Sequence, residues 1–358
     1  MKKINLLLIA SLVLVTGLFS SCEKTDSTNE VVIEGNALIA NYGSYGGAKG
    51  EFSLFNETEG IITNNYFKTI NNIDFQSCIQ SIGKHNGKLY SMSNNADGIE
   101  IINLSTFKVE ESIDDNIVKP RYFAAKGNKA YISCWGNVAD WSKMLNSYIA
   151  IIDLTTNQVT KVDQAGGFEG IAIVGDKLYA ASYTKPEVAV LNLSTEKFET
   201  PIKLNSQARH FAVAGDKLWV SHVSSYSIHA DPENIGIACI NTNTNKVEKK
   251  VNIPEIGGNG YLATNNDSSK IYVMGNEAYP SKNSSIISVN GTSGVIENKS
   301  FITGESFYGM GFNKTTDKLY VLISPSTSSN GKVQVYDTKG TKLKETETGI
   351  APQHVIFY

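Results

Sequence analysis

Six side chains able to donate or accept hydrogen bonds recur at near-regular spacing along this sequence: Gln80, Arg121, Glu169, Arg209, Tyr308 and Gln353, with Gly260 filling the gap before Tyr308. One residue later runs a second series, Ser81, Tyr122, Gly170, His210, Tyr261, Gly309 and His354. The first series carries donors, acceptors and both signs of charge. It suits recognition of a ligand bearing amides and a phosphate better than a purely anionic one, and Arg121 and Arg209 are placed to share a phosphate or acyl oxygen. Glu169 falls between them in the series, where it can equally well serve only to neutralise both.

Other chemistry is poorly supported. The sequence has no Gly-x-Ser-x-Gly, no His-Glu-x-x-His, no phosphate loop and no dinucleotide glycine fingerprint between a strand and a helix. The five histidines, His85, His210, His222, His229 and His354, are dispersed, and Cys78, Cys134 and Cys239 match neither a zinc spacing nor a paired framework. These cysteines are expected as buried free thiols. No catalytic residue, metal or cofactor is expected. The glycine-rich stretch Gly43, Gly46, Gly47, Gly50 has no helix behind it and reads as a connection between strands.

The elements that would bring the two series together follow from a repeat. A Lys-x-aromatic pair occurs at Lys88/Tyr90, Lys129/Tyr131, Lys177/Tyr179, Lys217/Trp219, Lys270/Tyr272 and Lys318/Tyr320, and the polar series lies about ten residues before each aromatic. A second marker, an apolar strand ending in Asn or Asp before a turn, keeps step at Asn103, Asp153, Asn192, Asn241, Asn290 and Asp337. One unit, Pro120 to Val159, reads as four short strands separated by three turns. A four-strand repeat of this period is the signature of a β-propeller blade. Six full units are present, and a seventh is split: strands at Ala37–Ala40, Glu51–Phe55 and Ile61–Thr63 lack an inner partner, which Gln353–Phe357 supplies. The expected fold is therefore all-β, a seven-bladed β-propeller closed by pairing of the C-terminal strand with the N-terminal blade.

In such a ring the inner strands start around one mouth of the central channel, so both series should encircle it. Loops between second and third strands open on the same face and hold Trp135, Trp141, Tyr183, His222, Tyr226, His229 and Tyr279. Aromatics around a polar funnel would make a recognition surface. Of these, Trp135, next to a strand end, is the one most readily placed in the core.

Residues 1–21 read as a signal peptide: Lys2-Lys3, an apolar run from Ile4 to Leu18, then Phe19-Ser20-Ser21-Cys22. The last four resemble a bacterial lipobox with Phe19 in the usual Leu position, which implies a lipidated Cys22. Residues 22–30 form a polar tether, and 31–358 one propeller domain without a linker to divide it. The net charge is −3 with no basic stripe, Lys and Arg being scattered through the blades, which speaks against nucleic acid as a partner.

The lipobox, the six blade markers, Lys119-Pro120-Arg121-Tyr122 and the ending Pro352-Gln353-His354-Val355 together resemble the YncE-like seven-bladed propeller lipoproteins of the Bacteroides group. The resemblance spans Cys22 to Tyr358. It implies an outer-membrane protein, held by its lipid anchor and exposed on the cell surface, that captures a small molecule without enzymatic turnover. Some members of that group capture vitamin B12 and pass it to a TonB-dependent transporter, so the resemblance implies a corrinoid as the leading ligand. A second reading is an adhesion or scaffold propeller working through its rim. A third is a lyase-like or quinoprotein-like enzyme, which would need a coupled pair such as His210 with His354 or Glu169.

Overall fold

The computed structural model describes residues 37–44, 46–225, 228–277 and 281–358. The expected signal peptide, Cys22 and the tether lie outside the described residues, as do Tyr226 and Tyr279.

Seven antiparallel sheets form the ring, six of four strands and one of five. Their inner strands are Pro352–Phe357 in blade 1, Ile79–His85, Pro120–Lys126, Phe168–Val174, Gln207–Ala214, Leu262–Thr264, and Phe307–Asn313 in blade 7. Each packs against its neighbours, and Pro352–Phe357 touches both Phe307–Asn313 and Ile79–His85, so the circle is complete. Closure runs as expected: the C-terminal strand pairs antiparallel with Ala37–Asn41, with Ile39 opposite Val355 and Ala37 opposite Phe357. The ring leaves no open end for another chain to extend.

The second and third strands of each blade are covered on both faces by adjacent sheets. They therefore read as near-continuous apolar runs, such as Tyr148–Asp153, in which only the last residue is not buried. Outer strands alternate, as in Lys246–Asn252, because one face meets water. In blade 4 the outer strand is split into Lys197–Phe198 and Ile202–Lys203. Pro201 sits between the pieces and has no N–H to give to the ladder. A short helix, Tyr66–Asn71, was not anticipated from patterning. It is fastened by the Glu51 carboxylate, which accepts from the backbone N–H of Phe67 at 2.8 Å and of Lys68 at 3.2 Å. Cys78, Cys134 and Cys239 are free and buried.

The two sequence markers meet on one face of the ring, called here the lower face. The marker aromatics are at most 2% exposed, wedged between blades. The Asn or Asp that ends each third strand closes its turn through the side-chain oxygen, as when Asn103 accepts from the N–H groups of Ser105 and Thr106. In blades 2, 4, 5 and 6 the same Asn donates to a Glu seven residues later, which also pairs with the marker Lys: Lys88–Glu110, Lys177–Glu199, Lys217–Glu248 and Lys270–Glu297. Blades 3 and 7 carry Asp153 and Asp337, which cannot donate, and Thr160 and Lys344 where the Glu would stand. There the marker Lys crosses to the next blade instead, Lys129 to Glu196 and Lys318 to Glu57.

Candidate functional site

The opposite, upper face is where the inner strands begin. In six of the seven blades the ladder slips at this point, so that two residues of the inner strand face one of the second strand. Gln80, Arg121, Glu169, Arg209, Tyr308 and Gln353 all lie within these bulges. A bulge re-aims the side chain it carries, here toward the axis of the ring. The backbone groups left over are partly satisfied from the second strand: the hydroxyls of Ser133 and Ser221 accept from the N–H groups of Tyr122 and His210 at 3.0 Å each.

The second series divides into large and small members. Tyr122, His210, Tyr261 and His354 form a closed cycle of rings across the channel, with centroid separations of 5.4, 4.2, 5.9 and 5.7 Å and His210 stacked flat on Tyr261. The small members make room for neighbouring bulges. A Cβ on Gly170 would lie 2.7 Å from the Arg209 carbonyl, and one on Gly309 only 2.0 Å from the Gln353 carbonyl. Ser81 donates to the Arg121 carbonyl. Four aromatic rings thus floor the mouth.

Above this floor lies a cavity of about 250 Å³ lined by Tyr42, Gln80, Asn94, Arg121, Arg209, His210, Asn259, Tyr261, Tyr308 and Gln353. Its walls are nearly all polar. Glu169, fully buried, stands behind the wall and accepts two hydrogen bonds from Arg121 Nη2 at 3.0 and 3.2 Å; Arg209 Nη1 lies 3.7 Å away. Arg121 Nη1 donates to Gln80 at 2.5 Å, and its guanidinium lies 3.9 Å over the Trp135 ring. Arg121 is thereby fully engaged on one side. Arg209 is not: among the described residues its guanidinium makes no hydrogen bond, while the Nε of both arginines is buried without a partner. Gln353 Oε1 and Asn94 Oδ1 are likewise buried acceptors without donors.

The titrating groups of the mouth are held in fixed states. Burial pulls His354 down to about 4, and burial with the Arg209 charge beside it pulls His210 well below the ordinary imidazole value. Both rings are neutral at neutral pH. Burial raises Tyr261 and Tyr308, and burial with the neighbouring Cys78 pushes Tyr42 to about 12, so the phenols remain O–H donors. Burial works against the Arg209 charge, but Glu169 and the surrounding phenols outweigh it and leave the group firmly protonated. A general base or acid works best with a pKa near the operating pH, and neither imidazole has one. His210 and Glu169 are not hydrogen-bonded to each other, and among the described residues no group of three metal-ligating side chains converges.

Several expectations need correction. The mouth is a narrow polar cavity and not a deep aromatic funnel. Trp135, Trp141 and Tyr183 cluster beside it, with Trp135 5.8 Å from Trp141 and 5.5 Å from Tyr183, but none of them lines the cavity. Trp135 is not a core residue: it is the platform under Arg121, while Trp141 is 57% exposed at the rim. Tyr122 and His354 form floor rather than wall, and Glu169 is a counter-charge behind it. His222 is buried within its strand, 2.9 Å from Ser206, and does not reach the mouth. Tyr226 lies outside the described residues.

Two signals were missed. Tyr42 and Asn94 follow the ends of second strands, as do Trp135 and Tyr183, and form a third column that alignment of the inner strands alone does not reveal. Composition held the other. The chain has two arginines against thirty lysines, and both arginines are at this mouth rather than scattered. Lysine serves the solvated clips, whereas the planar fork of arginine serves buried and stacked contacts.

A larger cleft, about 630 Å³, opens at blade 6 beside Glu255, Asn276, Glu277, Asn283 and Lys299. Lys299 pairs with Glu255 there at 3.1 Å, and the Glu277 carboxylate accepts from the Asn283 amide at 2.9 Å. The smaller cavity is the better candidate because it lies at the channel mouth, where the bulged residues of the inner strands converge and the Arg209 guanidinium makes no hydrogen bond among the described residues.

Residues 35–354 match the profile of the family described as a domain of unknown function, DUF5074. The chain belongs to that family. No curated protein matches the sequence. Among solved structures it is similar to a quinonprotein alcohol dehydrogenase-like protein from Bacteroides thetaiotaomicron, at 16% identity and a TM-score of 0.63 over 90% of this chain and 78% of that one. It also resembles hydrazine synthase of Kuenenia stuttgartiensis, at 13% identity and a TM-score of 0.56 over 70% and 73%. The computationally designed Ika8 protein is similar too, at 12% identity and a TM-score of 0.54 over 90% and 92%. Likeness at this level to enzymes and to a designed protein alike establishes the propeller and nothing of its chemistry.

Proposed function

We propose that this propeller is a non-enzymatic capture protein that binds a polar small molecule at the upper mouth of its channel. The observation that carries the reading is the cavity in which Arg209, Gln353 and Asn94 present buried hydrogen-bonding atoms without partners. Such atoms cost about 1–3 kcal/mol each while unmade, and a ligand that pairs them recovers that free energy. The protein is anchored by lipid at Cys22 to the outer membrane, faces the exterior, and delivers its ligand to a TonB-dependent transporter. These three assignments rest on the lipobox and the YncE-like resemblance. Replacing Cys22 with Ser should release the protein from membranes, and a variant that still fractionates with them would refute the anchor.

The corrinoid implied by that resemblance meets a size limit here. A cavity of about 250 Å³ is below the usual range for drug-sized ligands, so a corrin ring would rest on the rim against exposed Trp141 with only a polar arm inside. Calorimetric titration of the purified protein with cyanocobalamin tests this directly. Binding that weakens in the Arg121→Ala, Arg209→Ala double variant supports the mouth as its site. Absence of heat removes the corrinoid, and binding unaffected by the double variant places the site elsewhere.

A further inference from the structure

The cavity's unmatched atoms restrict the ligand more narrowly than its overall polarity does, and the restriction rests on the capture reading above. Charge comes first. Two arginines and one glutamate meet at the mouth, while His210 and His354 are neutral, leaving a single positive charge. That charge resides on Arg209, because Arg121 is bonded through Nη2 to both oxygens of Glu169 and through Nη1 to Gln80, and is covered by Trp135. A guanidinium facing a cavity with its fork open is shaped for a planar oxyanion. One net charge matches a monoanion.

Hydrogen-bonding direction comes second. Gln353 Nε2 donates to the Tyr261 hydroxyl at 3.0 Å, which fixes the amide and turns its Oε1 into a buried acceptor with no donor. Asn94 Oδ1 is in the same condition. A purely anionic ligand has no hydrogens for these atoms, whereas hydroxyl groups do. Size comes third: about 250 Å³ corresponds to roughly eight waters at about 30 Å³ each, enough for one six-carbon sugar derivative and not for two. The rings of His210 and Tyr261 give such a molecule a flat floor.

We propose that the cavity is a subsite for a compact hydroxylated monocarboxylate of monosaccharide size, with its carboxylate on Arg209 and its hydroxyls donating to Gln353 and Asn94. A sugar acid, free or as the end of a longer chain, has this chemistry.

The test is calorimetry on the full-length protein in detergent with D-glucuronate, D-galacturonate and D-gluconate, set against D-glucose, glucose 6-phosphate and cyanocobalamin. At least one sugar acid should bind ten- to a hundredfold more tightly than glucose, the loss expected for charge-assisted hydrogen bonds at about 1.5–3 kcal/mol. Glucose 6-phosphate, with nearly two charges, should bind no better than the best acid. Arg209→Gln should abolish the difference between acid and neutral sugar. This variant gives up the 3.7 Å ion pair with Glu169 and the contact over the Tyr183 ring but no hydrogen bond made among the described residues, so a cooperative thermal transition should show that it folds, and Arg209→Lys, which keeps the charge without the fork, should fall between. Equal binding of glucose and the acids, or acid binding that survives Arg209→Gln, overturns the monocarboxylate assignment while leaving ligand capture intact. Cyanocobalamin binding with no response to any sugar acid does the same. No response to any of the six probes overturns the assignment and withdraws support from the capture reading as well.

Discussion

The two faces of this ring are built from the same strands and differ in what the repeat preserves. On the lower face a Lys, an Asn and a Glu return in blade after blade, each trio closing a turn and pairing across one sheet. On the upper face the bulge recurs but the residue it carries varies, with four types over six positions: glutamine, arginine, glutamate, arginine, tyrosine, glutamine. Where a position only has to hold a blade together, one solution suffices and is repeated. Where seven positions converge on one space, their differences make the space asymmetric, and asymmetry is what a specific ligand needs.

This contrast orders the expected effects of mutation. The largest belongs to closure, which the lower-face clips alone cannot replace. Deleting residues 352–358 removes the inner strand of blade 1 and the burial of Phe357, whose ring lies 4.9 Å from Tyr320. The ring should lose its cooperative thermal transition in circular dichroism. A truncated protein that melts like the parent would refute closure by this strand.

Next comes the upper mouth itself. Glu169→Ala strands the buried Arg121 charge and should destabilise by about 3–5 kcal/mol in urea titration. A loss under about 1 kcal/mol would mean that Glu169 is not the counter-charge of this mouth. On the lower face, the clip that joins the first and last blades should matter more than those within a blade. Glu57 is 3% exposed and receives the Tyr320 hydroxyl at 2.5 Å together with Lys318 and Thr316, so Glu57→Ala should cost about 2–4 kcal/mol.

The floor of the mouth adds a pH dependence. His354 titrates near 4 when folded and near 6.5 when unfolded, so the unfolded chain binds more protons between those values and stability falls as pH drops through that window. His210, also depressed by burial, adds to the fall in the same direction. The contribution of His354 is roughly 3 kcal/mol at 1.36 kcal/mol per unit. His354→Gln should flatten this part of the profile measured by urea midpoints, and an unchanged profile would contradict the neutral buried imidazole. Smallest of all is the clip inside blade 2, where Glu110→Ala breaks a half-exposed pair with Lys88 and should change stability by less than about 1 kcal/mol. If Glu110→Ala costs as much as Glu57→Ala, the distinction between closing and local clips fails.

The fold was legible in the sequence because its repeat is written in residues with local duties. The Asx turn at Asn103 or Asp153, the buried aromatic two residues after the marker Lys, and the apolar second strands all leave marks at fixed spacing. The ring of polar residues was legible for the same reason, since counting from a marker aromatic reaches the bulge. The depth of the mouth was not. Whether Tyr122, His210, Tyr261 and His354 stand open or stack across the channel depends on contacts between blades more than eighty residues apart in the case of Tyr122 and His210. The role of Trp135 was hidden likewise, because a strand-end aromatic looks the same in sequence whether it packs in a core or under a guanidinium.

The two arginines of the chain offer the most direct test of the upper mouth as the binding site. Protein labelled with isotopic arginine should give two side-chain Nε–H resonances, one from Arg121 and one from Arg209. Addition of a ligand that binds calorimetrically, whether a sugar acid or cyanocobalamin, should shift the Arg209 signal strongly and the Arg121 signal less, since Arg121 is already held by Glu169, Gln80 and Trp135. A ligand that binds with measurable heat and moves neither resonance would contradict the account.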